Sequence, residues 1–261
     1  MEFHNIDVNL EVDFGFILEK NYSIYLLFDY LCNNKDFYDI ILSFHPKWGE
    51  DFLYFKYKEY QFLAISAKGA SVAVNAVERV RRAKGKAIIF IGTCGSTDEN
   101  ISDGSFIVPY SAVRDEGVTS GYLGINAPAL ADMDFSYLLK NELSLLADEV
   151  RMGVAYTTDK RYREDPELLR HLRKTLNVCC IDMETSAVLL VATYYGIKVS
   201  VIRVVTDCAV KETEGVLKGV FDVEKHHDFL SFVNPKINQA FTAAVEACVK
   251  QFDIKGCHAK H

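Results

Sequence analysis

Hydrophobic and polar positions along this chain alternate between two rhythms. Asp51–Lys58 and Gln61–Ser66 are β-rich stretches flanking Glu59-Tyr60, and together they predict a hairpin. Ala70–Arg82 places Val72, Ala73, Ala76, Val77 and Val80 at the three-to-four spacing of an amphipathic helix, which Lys84-Gly85 ends. Ala87–Ile91 is then a continuous apolar run, predicting a strand buried on both faces, and it leads into Gly92-Thr93-Cys94-Gly95-Ser96, which reads as a glycine-bounded turn. Further on the pattern predicts strands over Phe106–Pro109, Arg151–Thr157, Val178–Ile181 and Val199–Val205. Helices are expected over Phe135–Glu149, Asp165–Leu176 (with Pro166 in its first turn), Glu184–Tyr195 and Pro235–Gln251. Strands alternate with helices and no Pro/Ser-rich linker or repeat interrupts them. The expectation is one α/β domain over residues 1–261 with a mainly parallel or mixed sheet.

Composition narrows the class. The chain has 261 residues, 49% hydrophobic, enough to bury a core without a metal or disulfide. A net charge of −7 disfavours a nonspecific nucleic-acid binder, which needs a basic face to displace counterions. The one basic run, Arg79 to Lys86, reads as the solvated end of a helix. Seven cysteines, several in apolar runs (Cys179, Cys180, Cys208), show no zinc spacing and read as free thiols in a reducing compartment. The N-terminus carries acid where a signal peptide carries base, and no uncharged run approaches the ~20 residues that span a bilayer. A cytoplasmic protein without metal, cofactor or membrane partner is expected.

The polar clusters that follow buried strands are the candidates for chemistry, because ligands of open α/β sheets collect beyond the carboxyl ends of strands. Three stand out: Gly92–Ser96, Asp182-Met183-Glu184, and Thr206-Asp207. The first is neither a P-loop nor a GxGxxG turn. Asp182 suits an N-cap of the apolar helix it precedes. Glu184, between a buried strand and an Ala/Leu-rich helix, needs a partner to justify its burial, and a ribose diol with two hydroxyl donors is a good one. Asp207, after an Ile/Val run, is a carboxyl group whose apolar surroundings suit it to delivering a proton near neutral pH.

These clusters also carry a resemblance. Ile89-Phe90-Ile91-Gly92-Thr93-Cys94-Gly95-Ser96, Val113-Arg114-Asp115-Glu116-Gly117, Thr157-Thr158-Asp159, Asp182-Met183-Glu184-Thr185-Ser186-Ala187 and Val204-Val205-Thr206-Asp207 resemble, in that order, segments of the nucleoside phosphorylases. The similarity runs from about Phe62 to Asp207. It implies a three-layer α/β/α fold with a central mixed sheet, as a homo-oligomer of dimers or hexamers. It implies phosphorolysis of a purine nucleoside to free base and ribose 1-phosphate, with phosphate as co-substrate. By the same resemblance Met183 and Glu184 hold the ribose, joined by His4 reaching a neighbouring subunit. Asp207 protonates the purine as it leaves, Thr93 helps bind phosphate, and Cys94 and Gly95 line the base pocket. Tyr162 takes the place of an aromatic stacked on the base.

The phosphate half of that pattern is altered. Phe90 stands where the family usually has arginine, the stretch Glu19–Ser23 lacks the Gly-Asp-Pro-x-Arg loop, and His45–Trp48 offers only Lys47. Arg161 and Arg163 either rebuild an anion site or belong to a solvated loop. Two alternatives therefore accompany phosphorolysis. One is a hydrolase of the same fold using water, with Glu11 or Glu19 as its base. The other is a noncatalytic nucleoside-binding member, against which Glu184 and Asp207 both argue.

Overall fold

A computed structural model describes residues 10–19, 21–45, 50–161, 165–211 and 223–258. Ten strands form one mixed sheet: β1 (Phe14–Leu18), β2 (Phe37–His45), β3 (Glu50–Tyr57), β4 (Tyr60–Ser66), β5 (Ala87–Ser96), β6 (Phe106–Asp115), β7 (Ala129–Leu130), β8 (Val150–Thr158), β9 (Val178–Asp182) and β10 (Lys198–Cys208). Among the described residues six α-helices accompany them: α1 (Asn21–Cys32), α2 (Ala70–Arg82), α3 (Met133–Ser144), α4 (Pro166–Leu176), α5 (Thr185–Tyr194) and α6 (Val223–His258). β1 lies between β4 and β5, parallel to both, and the antiparallel meander β4-β3-β2 extends that side. On the other side β10 pairs with β5 in parallel and with β6 antiparallel, while β6-β8-β9 leads back to β5. Five strands thus close into a ring, and β5 is where the ring meets the open part of the sheet.

The continuous apolar runs are explained by two cores. Ile88 and Phe90 of β5 face one core with Ala73, Val77 and Val80 of α2 and Leu189 of α5. Ala87, Ile89 and Ile91 face the other, with Ile24 of α1, Leu139 of α3 and Phe241 of α6. Helices cover both faces, giving the three-layer α/β/α arrangement. The basic run ends α2, where Arg79, Arg81 and Arg82 occupy the last turn. Among the described residues no helix is long and apolar enough to cross a membrane.

Several boundaries differ from the sequence expectation. Gly92–Ser96 is not a turn: β5 continues through it, pairing with β10 as far as Ser96↔Cys208 and with β9 at Gly95↔Ile181. Its small residues permit that crowding from both sides, and a Cβ on Gly92 would lie 2.8 Å from the Glu19 carboxylate. β6 runs past Pro109 to Asp115, with the pairing register to β8 shifting between Pro109 and Ser111, where proline offers no N–H to the ladder. Helix α3 starts and stops earlier than expected, because Asp132 caps it by accepting from the Phe135 N–H at 2.9 Å. Helix α6 begins at Val223 and passes through Pro235 instead of starting there. Pro235 lies on the exposed side, where its missing hydrogen bond faces water, while Val233 and Ile237 are buried. Strands β1 and β2 and helix α1 have no counterpart in the sequence expectation.

Candidate active site

The site is assembled at the carboxyl ends of β1, β5, β8, β9 and β10. One cleft there is lined by Glu19, Thr93, Cys94, Gly95, Thr158, Arg161, Ile181, Asp182, Met183, Glu184, Thr206 and Asp207. All three polar clusters singled out in the sequence meet in it. Met183, Glu184, Thr93, Cys94, Gly95 and Asp207 are brought together across residues far apart in the chain. His4, Lys47, Tyr162 and Arg163 lie outside the described residues.

Each acid is positioned by its strand end. Asp182, at the last position of β9, accepts from the backbone N–H groups of Glu184 (3.2 Å) and Thr185 (3.1 Å), so it satisfies N–H groups at the start of α5 as expected, although the N-cap position itself is Glu184. It also accepts from the Thr157 hydroxyl at 2.8 Å and the Thr185 hydroxyl. Glu184, only 2% exposed, reaches across to α2 and accepts from the Gly69 N–H at 2.7 Å. Gly69 has φ +86°, a conformation that favours glycine, and it opens α2, so the carboxylate meets the positive end of that helix. Asp207 follows a register shift in β10 between Val205 and Asp207, which brings it opposite Gly95. The Thr206 hydroxyl donates to Asp207 Oδ1 at 2.9 Å. A Cβ on Gly95 would come within 3.4 Å of Asp207 Oδ2, so the glycine keeps open the space beside this acid.

Sequence reasoning missed the residue that organises these acids. Arg203, in β10, is completely buried, with Phe90's ring 4.2 Å from its guanidinium carbon. Its Nε lies 3.1 Å from Asp182 Oδ2, its Nη2 3.3 Å from Glu184 Oε2, and its Nη1 3.8 Å from Glu19 Oε2. It also donates to the Thr185 hydroxyl at 2.9 and 3.0 Å and to the Thr93 carbonyl at 3.3 Å. The signal was available: alternation along Val199, Val201, Arg203, Val205 puts a lone cation on a face that α5 buries, and such a charge needs anionic partners. Phe90, the departure noted where the family has arginine, is the platform beneath this guanidinium.

Three carboxylates around one guanidinium leave an excess of negative charge in a dry place. Burial pushes the Glu184 carboxyl up to about 7, with Arg203 pulling down and Glu19 and Asp182 adding upward pressure. The same three acids hold the Arg203 guanidinium above its usual range despite its burial. Burial also raises the Cys94 thiol, which suits a pocket wall better than a nucleophile.

Glu19 settles at a telling point. Its backbone N–H donates to Ile91 O at 3.0 Å, fixing the end of β1 against β5. Its side chain then accepts from both the Thr93 N–H and, at 2.8 Å, the Thr93 hydroxyl. Glu11, the other acid considered as a base, pairs with Lys84 on the surface instead. Of the cations near the Thr-x-Asp segment, Lys160 pairs with Asp115 at 2.9 Å, and Arg161 lines the cleft. The remaining motifs brace the site: the Ser186 hydroxyl donates to Glu116 at 2.9 Å, the Gly117 N–H donates to Asp159 at 3.0 Å, and Arg114 donates to the carbonyls of Leu123, Gly124 and Ala127.

With this geometry in place, comparison with known proteins decides the family. The model of the phosphorylase superfamily matches residues 39–250. The chain belongs to the phosphorylase superfamily. Curated relatives include a purine nucleoside phosphorylase DeoD-type of Buchnera aphidicola subsp. Acyrthosiphon pisum (strain Tuc7), 30% identical over 123 residues, covering 47% of this chain and 52% of that protein. A guanosine phosphorylase of Halorubrum lacusprofundi is 26% identical over 134 residues, covering 51% and 55%. The chain therefore spans about half the length of these curated relatives. Solved structures agree on the superfamily fold over nearly the whole chain. Uridine phosphorylase from Vibrio fischeri ES114 superposes with a TM-score of 0.75 at 22% identity, covering 94% of this chain and 95% of that one. The Campylobacter jejuni 5'-methylthioadenosine/S-adenosyl homocysteine nucleosidase gives 0.73 at 18% identity, covering 92% and 99%.

Proposed function

We propose that this chain is an enzyme that cleaves the N-glycosidic bond of purine nucleosides, with water as the nucleophile. Breaking that bond builds positive charge on the ribose and negative charge on the leaving base. Glu184 accepts the ribose hydroxyls, Met183 packs against the sugar, and the nearby carboxylates stabilise the cationic ring. Asp207, beside the space that Gly95 keeps open, gives its proton to the base as it departs. Cys94 and Gly95 form the wall on which the base rests.

The choice of nucleophile rests on one observation: Glu19 accepts from both the N–H and the hydroxyl of Thr93. Thr93 is the residue that the family resemblance gives to phosphate. A phosphate dianion arriving there would have to displace a carboxylate and then face its charge, while Arg203 is already surrounded by three acids. A water molecule beside Glu19 meets the opposite situation, since the carboxylate orients it and takes its proton as it attacks the anomeric carbon. Phosphorolysis, the reaction in the names of the two curated relatives, is the second reading. It is favoured by the Thr93 N–H and hydroxyl converging on a single anionic group, a place phosphate would occupy were Glu19 to withdraw.

The test is base release from a panel of purine and pyrimidine nucleosides, with and without phosphate, in the parent and in Glu19→Gln. We expect purine release that is indifferent to phosphate and falls about 100-fold or more in the variant. Release that requires phosphate and survives Glu19→Gln would overturn water as the nucleophile and favour phosphorolysis.

A further inference from the structure

We propose that Arg203 is a positioning residue that ties the charge on Glu19 to the charge on Glu184, so that the proton Glu19 takes from water strengthens the hold of Glu184 on the ribose. This deepens the reading just given and rests on it for the roles of those two acids. Arg203 touches neither water nor nucleoside in that reading: it is fully buried, and the described residues that line the cleft do not include it. Its guanidinium carbon lies over the Phe90 ring at 4.2 Å. A planar cation laid on a ring points its N–H donors sideways, in fixed directions.

Those directions are divided between the two ends of the reaction. Nη1 faces Glu19 Oε2 at 3.8 Å and donates to the Thr93 carbonyl at 3.3 Å. Nη2 faces Glu184 Oε2 at 3.3 Å and shares the Thr185 hydroxyl with Nε, which lies 3.1 Å from Asp182 Oδ2. One positive charge is thus shared among three acids from three places in the fold: the end of β1, the end of β9 and the start of α5. The other groups around them are accounted for. Helix α2 presents the Gly69 N–H to Glu184 at 2.7 Å, with the exposed Lys68 beside it. Strand β5 presents the Cys94 thiol, which burial keeps protonated, and Asp207 and Arg161 line the same cleft.

A charge shared in a dry place is felt by every partner, because little water screens it. Burial raises the Glu184 carboxyl to about 7, while Arg203 lowers it and Glu19 and Asp182 raise it. Neutralising Glu19 removes one of the opposing charges and leaves more of the guanidinium to Glu184. In the proposed reaction the oxygen of water bonds to the anomeric carbon and one of its protons passes to Glu19. The electron pair of the C–N bond leaves with the base, whose nitrogen takes the proton of Asp207. The proton arriving on Glu19 therefore makes Glu184 more firmly ionised while the sugar ring carries its positive charge.

The experiment reads the ionisation of Glu184 directly and without substrate, by infrared difference spectroscopy of its protonated carboxyl band across pH, the band being identified by its absence in Glu184→Gln. We expect a midpoint of about 7 in the parent. Removing the cation in Arg203→Met should move it up by about one pH unit or more, and removing the acid in Glu19→Gln should move it down by about half a unit or more. Arg203→Lys, which keeps the charge but loses the planar fork, should hold it closer to the parent than Arg203→Met does. Packing alone predicts no such opposite shifts. A midpoint that stays put in Glu19→Gln, or that moves the same way in Glu19→Gln and Arg203→Met, would overturn the link. If Arg203→Met does not fold, Glu19→Gln decides by the same criterion, its midpoint falling or staying put. The dissociation constant of inosine is followed over the same pH range, and its acid limb should move with the Glu184 midpoint. A limb that ignores the midpoint would overturn the claim that the link reaches the ribose. Opposite midpoint shifts with no inosine bound or cleaved at any pH would uphold the link between the acids and sink the proposed reaction instead.

Discussion

At the scale of single residues, the site is a problem of charge placed where water is scarce. Burial and two neighbouring acids raise the Glu184 carboxyl to about 7, and the proposed role as an acceptor of ribose hydroxyls requires the ionised form. Its carboxyl sits above its unfolded value of about 4.5, so its contribution to stability is present below that pH and is lost as pH rises through about 7. Substrate binding runs the other way. We expect KM for the nucleoside to rise as pH falls below about 7, and Glu184→Gln to weaken ribose recognition and flatten that limb. A KM profile that keeps its acid limb in the variant would place the titrating group elsewhere. Asp207→Asn should lower turnover of purine nucleosides about 100-fold or more with the fold intact, checked by kcat and the circular dichroism spectrum. Arg203 is the reverse case, a cation whose loss strands its partners. Arg203→Met should cost roughly 3–5 kcal/mol, because it leaves buried carboxylates without their counter-charge. Denaturant titrations at about pH 5 and about pH 8 should show the larger loss at the higher pH, where the stranded acids would have to be ionised. An equal loss at both would mean that Arg203 contributes by packing on Phe90 alone.

At the scale of elements, the strand ends do the positioning, and what was readable in the sequence follows from how each end is made. The continuous run Ala87–Ile91 and the stripe on Ala70–Arg82 were legible because burial on two faces and on one face leave different patterns. Gly92–Ser96 misled because glycines suggest a turn, whereas Gly92 and Gly95 are there for close approach in a strand crowded by β9 and β10. Strand β1 escaped notice although Glu19 directly follows it, since five residues beside an acidic segment give little periodicity to read. Asp182, Glu184 and Asp207 stood out as candidates because polar residues after apolar runs mark strand ends, while the role expected of Met183 came from the family resemblance. Arg203 was not, because it hides inside such a run and its partners come from three other elements. Gly92→Ala tests this element-level picture. Its new methyl would meet Arg203 Nη1 and come within 2.8 Å of Glu19 Oε2. We expect a stability loss of about 1–3 kcal/mol together with lower base release. A variant with unchanged melting temperature and turnover would show that the Glu19–Arg203 contact tolerates displacement.

At the scale of the whole molecule, the fold brings four carboxylates and one arginine to a single cleft by closing five strands into a ring beside an open sheet. Helices α2 and α5 on one face and α1, α3 and α6 on the other hold that ring, and two of the helix starts, Gly69 before α2 and Glu184 before α5, enter the site directly. The scaffold is shared with superfamily members whose names describe both phosphorylases and a nucleosidase, so fold alone does not choose between phosphate and water. In the reading proposed above, the choice lies in where Glu19 sits. The most direct measurement is the identity of the sugar product formed from inosine in excess phosphate, read by mass spectrometry. We expect free ribose, formed at the same rate when phosphate is withdrawn. Ribose 1-phosphate, with no product in the absence of phosphate, would contradict water as the nucleophile and show that Glu19 yields its place beside Thr93.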